Sequence, residues 1–142
     1  MTRAIALSTL SALAFIAATS GITLAAQTPQ APAAQTPTEV YMAYRAAFDK
    51  ATRADDIKPF QSKKVRAEMD AMPAADRAEF FKMIKGMGTM ASVKVSKETV
   101  TATGATLLVD AVNPAKVKMT CEVTMVREDG ALKIANENWA AK

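Results

Sequence analysis

The chain has 142 residues, 50% of them apolar and 23% charged, a composition that fits one globular domain and excludes a disordered or fibrous chain. Its formal net charge of +4 is too small to argue for a nucleic-acid partner. With no His and a single Cys, the sequence excludes Ser–His and Cys–His nucleophile pairs, His general bases, zinc and iron–sulfur sites and any intramolecular disulfide, so no metal and no cofactor are expected.

Met1–Arg3 supplies a short positive start. Residues 4–18 are then apolar apart from Ser8, Thr9 and Ser11, and Thr23-Leu24-Ala25-Ala26 offers small residues for cleavage. That order predicts a secretory signal peptide over 1–26, cut after Ala26, and an exported protein, periplasmic or secreted. An uncleaved anchor is the alternative, because residues 4–26 are just long enough to span a bilayer. After cleavage no stable membrane span remains. Residues 27–36, QTPQAPAAQT, have no bulky apolar group with which to build a core and read as a flexible spacer.

Thr36-Pro37-Thr38-Glu39 predicts the first helix. Thr36 caps it, Pro37 takes the first helical position and Glu39 completes a capping box. Val40, Tyr44, Ala47, Phe48 and Ala51 form its apolar face up to about Arg53, with Arg45, Asp49 and Lys50 on other faces. Asp55-Asp56 starts a short helical turn that Pro59 constrains. Ser62 caps a second helix striped by Val65, Met69 and Met72. Pro73 opens a third, with Phe80, Met83, Ile84 and Met87 on one face and Gly86 and Gly88 near its end.

After Met90 the period changes from 3.6 to 2. Val93 and Val95 alternate with Lys94, Thr99–Thr103 favours β structure, and residues 105–112 form a strand closed by Asn113-Pro114. Val117, Met119, Cys121, Val123 and Met125 alternate with polar residues, a strand with one dry and one wet face. Asp129-Gly130 signals a tight hairpin into a last strand through Leu132 and Ile134 to Trp139. Residues 37–142 are therefore expected to form a single α+β domain, three N-terminal helices packed on a curved antiparallel sheet of about four strands.

The segment EDGALKIANENW, Glu128 to Trp139, together with this order of elements, resembles small exported members of the nuclear-transport-factor-2-like superfamily, with Ala131-Leu132 where an aromatic is frequent. The resemblance implies a cone: a bent sheet around a long first helix, with an apolar pocket at the open end. Its members include ketosteroid-isomerase-like enzymes, dehydratases, ligand carriers and interaction modules, so the fold does not choose among them.

Chemistry of the isomerase type needs a carboxylate base and acidic hydrogen-bond donors in a dry pocket. Tyr41 or Tyr44 and Asp110 are the candidates, set against the reading that Tyr44 is a core aromatic and Asp110 a solvated strand residue. Shared apolar phase predicts a pocket lined by Tyr44, Phe48, Leu107, Val109, Met119, Cys121 and Trp139. Cys121 on the dry face reads as an inert core thiol, with a redox or dimer-forming thiol as the alternative. The basic residues Lys58, Lys63, Lys64 and Arg66, with Lys94, Lys97, Lys116 and Lys118, read as solvating charge or as a face for an acidic partner. Three functions follow in order: a non-catalytic exported binding or accessory domain for a small apolar ligand or another exported protein, an isomerase- or dehydratase-like enzyme using Tyr44 and Asp110, and a protein–protein interaction or inhibitory module.

Overall fold

The computed structural model describes residues 35–142. The expected signal peptide and all but the last two residues of the spacer lie outside the described residues. The described chain is α+β, with its helices N-terminal to a curved four-stranded antiparallel sheet.

Helix α1 spans Pro37–Lys50. Its capping box is complete: the Thr36 hydroxyl accepts from the Glu39 N–H at 3.2 Å, and the Glu39 carboxylate accepts from the Thr36 N–H at 2.8 Å. The helix stops at Ala51, two residues before the Arg53 expected from periodicity. Lys85 closes that end by donating to the carbonyls of Phe48 and Asp49, two of the groups a helix C-terminus leaves unpaired. The buried face is Val40, Tyr41, Tyr44, Arg45 and Phe48. Arg45, expected on another face, lies one turn after Tyr41, so it shares that residue's inward direction.

A 3₁₀ helix follows over Ala54–Phe60, its start held by Asp56, whose carboxylate accepts from the N–H groups of Thr52 and Arg53. Helix α2, Lys63–Ala71, is capped by Ser62, whose hydroxyl accepts from the Val65 N–H. Met72 falls just past its end, and Pro73 stands immediately before α3, Ala74–Gly88, rather than at its first position. Each of these two helices buries one residue fully, Met69 and Phe81. Among the described residues no helix is long and apolar enough to cross a membrane.

Strands β1 (Ser92–Val100), β2 (Gly104–Val112), β3 (Lys118–Glu128) and β4 (Ala131–Ala141) pair in chain order. The β1 segment runs without a break from the first expected stretch through Thr99 and Val100, whereas residues 101–103, expected to favour β structure, form the connection into β2. The β3–β4 turn is made by Asp129 and Gly130, both with positive φ, as a tight hairpin demands. Gly104 is required by close approach, since a Cβ there would lie 2.0 Å from the Met125 carbonyl oxygen.

Both edge strands carry a bulge. The register slips between Val95 and Lys97 on β1, leaving Ser96 extra, and opposite Thr124/Met125 on β4, leaving Ala135 extra. An extra residue bends a strand and exchanges its two faces beyond that point. On β4 the inward residues are Leu132 and Ile134 before the bulge, and Glu137 and Trp139 after it. The inner face of the sheet and one side of α1 form the core, centred on Tyr41, Ile57, Leu107, Val109, Val123 and Met125.

Candidate ligand site

Two tyrosines one turn apart on α1 meet the carboxylate that the β4 bulge turns inward. Tyr41 donates its hydroxyl hydrogen to Glu137 Oε1 at 2.9 Å, and Tyr44 donates to Glu137 Oε2 at 2.7 Å. Arg45 Nη1 lies 3.9 Å from Glu137 Oε1, while its Nη2 donates to the Gly88 carbonyl at 2.5 Å and lies 3.9 Å from Asp49. The guanidinium is 4% exposed and sits over the rings of Phe48 and Trp139, at 4.9 and 5.7 Å from their centroids. Aromatic faces and a carboxylate are the partners that a buried guanidinium accepts most readily.

Burial pushes the Tyr41 and Tyr44 phenols well above the ordinary tyrosine range, and the adjacent Glu137 carboxylate adds to the shift. Both remain neutral donors. The Cys121 thiol, buried on β3 behind them, is pushed up to about 12 by desolvation and then by Glu137, so it is not a nucleophile at neutral pH. The cluster is therefore one positive and one negative group pinned by two neutral hydroxyls.

This cluster lies at the wall of a cavity of about 770 Å³. The cavity exists because α2 and α3 stand off from the sheet. Val65 and Met69 face it from α2, Met72 from just past the end of that helix, and Phe80, Ile84 and Met87 from α3. Tyr44, Arg45 and Phe48 of α1 close one side, and Met119, Ile134, Glu137 and Trp139 of the sheet close the other. A mostly apolar concavity of this size with a few convergent polar groups is the form of a small-molecule site.

Of the residues that sequence phase assigned to a pocket, Tyr44, Phe48, Met119 and Trp139 line this cavity. Leu107, Val109 and Cys121 do not: they are 0%, 0% and 1% exposed, packed in the core where the sheet meets α1. Asp110 is on the opposite face of the sheet. Its carboxylate pairs with Lys142 at 2.5 Å, and that ammonium holds it below the usual carboxylate range. Alternation along β2 turns Leu107, Val109 and Ala111 inward and Asp110 outward, so Tyr44 and Asp110 do not share a site. The carboxylate that Tyr44 does meet, Glu137, was not visible in the sequence, because simple alternation from Leu132 and Ile134 turns it outward. Among the described residues no group of three or more His, Cys, Asp or Glu side chains is placed to hold a metal ion.

Two solved structures resemble the chain. One, from Shewanella baltica OS155, is 8% identical, with a TM-score of 0.48 over 74% of this chain and 93% of that one. The other, from Silicibacter pomeroyi DSS-3, is 16% identical, with a TM-score of 0.37 over 46% of this chain and 58% of that one. Both are described as NTF2-like proteins of unknown function, the superfamily that the Glu128–Trp139 segment resembles. No protein-family model and no curated protein matches the chain.

Proposed function

We propose that the domain is an exported, non-catalytic binding module whose cavity takes one small, mainly apolar molecule. The observation that carries this reading is the open cavity of about 770 Å³ with methionine, isoleucine and phenylalanine walls and a polar cluster at one side. Methionine-rich walls adapt to ligands of different shape. Export rests on the charge, apolar run and small-residue order of residues 1–26.

Binding is favoured over isomerase or dehydratase chemistry by the hydrogen bonds of the cluster. A catalytic carboxylate needs a free oxygen aimed at substrate, and catalytic phenols need free hydrogens. Here each tyrosine hydrogen is spent on Glu137, and each Glu137 oxygen accepts one of them.

The test uses Trp139, the only tryptophan in the chain. Titration with the neutral apolar fluorophore N-phenyl-1-naphthylamine is expected to quench Trp139 saturably at one probe per protein. Ile84→Asp, on the half-buried cavity wall, is expected to weaken that binding roughly tenfold by placing a charge in apolar surroundings. Non-saturable quenching, or identical binding by the variant, overturns the reading. In the same preparation, secreted from a bacterial host, intact mass reads whether the chain begins at Gln27.

A further inference from the structure

The turn between β2 and β3 holds a fixed shape in water. The Asn113 N–H donates to the Val117 carbonyl at 3.0 Å, the Lys116 N–H donates to the Asn113 carbonyl at 2.9 Å, and Asn113 Oδ1 accepts from the Val117 N–H at 2.9 Å. Lys116 closes the turn with a φ of 63°. Every residue from Pro114 to Lys118 is exposed, and Val117, at 42% exposure, stands between Lys116 and Lys118. None of the three belongs to the core.

More positive charge gathers beside this turn. The register sets Lys94 on β1 beside Asp110 on β2, and Val112 beside Lys118 on β3. Lys142 follows the end of β4, where its N–H donates to the Lys118 carbonyl at 2.9 Å. Lys94, Lys118 and Lys142 line one shallow recess of about 280 Å³, in which Asp110 is the only acidic side chain. Asp110 pairs with Lys142 at 2.5 Å. Among the described residues no carboxylate pairs with Lys94, Lys116 or Lys118. Further along the sheet, Lys97 and Glu122 flank Leu108 from either side and offset each other.

Four ammoniums against one carboxylate call for an anionic partner. Lysine is a strongly hydrated point charge, without the planar fork that selects a single carboxylate or phosphate. Spread over an open face, such charges suit many anions in a layer rather than one in a socket. The apolar Val117 among them calls for a layer with apolar matter beneath it, along which lysine stems can lie while their ammoniums stay in water. A bilayer surface is ordered in that way, and an acidic protein face is not.

We infer that the β2–β3 turn docks the domain on an anionic lipid bilayer, with Val117 entering the boundary between head groups and acyl chains and Lys94, Lys116, Lys118 and Lys142 meeting the lipid phosphates. The contact needs no spanning segment and does not depend on what the cavity holds. Met119 lines both the recess and the cavity, so docking brings one cavity wall close to the bilayer.

The experiment sediments the protein secreted from a bacterial host with sucrose-loaded vesicles, either phosphatidylglycerol mixed with phosphatidylcholine or phosphatidylcholine alone. Binding is expected to the anionic vesicles, to be far weaker to the neutral ones, and to be released by high salt. Each lysine is expected to contribute about fivefold, so Lys116→Gln with Lys118→Gln loses roughly 25-fold. Val117→Ser is expected to lose roughly fivefold by removing the apolar part of the contact. All three substitutions change exposed side chains, and unchanged circular dichroism checks that the variants are folded. Whatever precedes the domain is common to parent and variants, so the differences between them read the turn. Absence of binding to anionic vesicles, equal binding to both compositions, or full binding by the double lysine variant overturns the inference. Undiminished binding by Val117→Ser overturns the assignment to a bilayer, because a patch that reads charge alone fits any polyanion, an acidic protein included.

Discussion

Tyr41 and Tyr44 are the only tyrosines in the chain, and both give their hydroxyl hydrogens to one carboxylate. Their raised pKa values make stability depend on alkaline pH with a definite sign. Up to about pH 10 both phenols are neutral in the folded and unfolded states alike. Above it the unfolded chain releases the protons while the folded protein keeps them, so stability falls as pH rises. Each tyrosine contributes a slope of about −1.4 kcal/mol per pH unit in that window. Tyrosinate absorbance is expected to stay absent from the folded protein and to appear together with the loss of circular dichroism. Tyr44→Phe is expected to remove one tyrosine's share of the slope. Smooth tyrosinate titration near pH 10 in a protein that remains folded would show that these hydroxyls are not held as described. Only Tyr44 was legible from helix periodicity, since the expected apolar face left out Tyr41, which the structure buries. Their acceptor was not, and neither was the inward turn of Arg45, since a charged residue beside an apolar stripe reads as solvated until its partner is known.

The partner was hidden at the scale of the element. Ala135 is one residue too many in β4, and no composition or period marks it, because alanine fits either face. Without the bulge, β4 would carry Asn136 and Asn138 inward and Glu137 and Trp139 into water. Glu137→Ala is expected to leave Arg45 without its carboxylate and to cost about 3 kcal/mol or more, read as a lower urea midpoint. Deletion of Ala135 removes only the extra residue, so Ile134 and Asn136 keep their partners on β3 and Trp139 is expected to stay inward with its emission maximum unchanged. A red-shifted Trp139 in the deletion variant would mean that Ala135 is not the bulge residue. Elements whose local chemistry is self-contained were legible: the capping box of α1, the Ser62 cap and the Asp129-Gly130 hairpin depend on residues within a few positions of one another. Helix ends set by distant groups were not. Lys85, contributed by α3, closes α1 earlier than its own periodicity indicates.

At the scale of the whole molecule, short connections force the strand order β1-β2-β3-β4, so the meander follows from the turns that punctuate the sequence. The cavity does not follow from them. It is the space left where two helices bury one side chain each, a property of tertiary spacing that apolar phase cannot report. Phase alone placed Leu107, Val109 and Cys121 with the pocket, because core-facing and cavity-facing residues share one side of the sheet. Cys121 offers a probe of the whole core. With a thiol 1% exposed and pushed up to about 12, its labelling by a thiol reagent at neutral pH is expected to require global unfolding. The labelling rate should then rise with urea with the slope of the equilibrium transition. Fast labelling insensitive to urea would place Cys121 in a locally opening region instead.

The bonds from Tyr41 and Tyr44 to Glu137 join residues 96 and 93 positions apart. Glu137 lies on β4, the last strand of the sheet in chain order. While the chain is still being made, everything through β3 can exist without the group that neutralises Arg45 and receives both phenols. Strand β4 is thus the keystone: a chain synthesised only through β3 holds its arch open, and the fourth strand locks it.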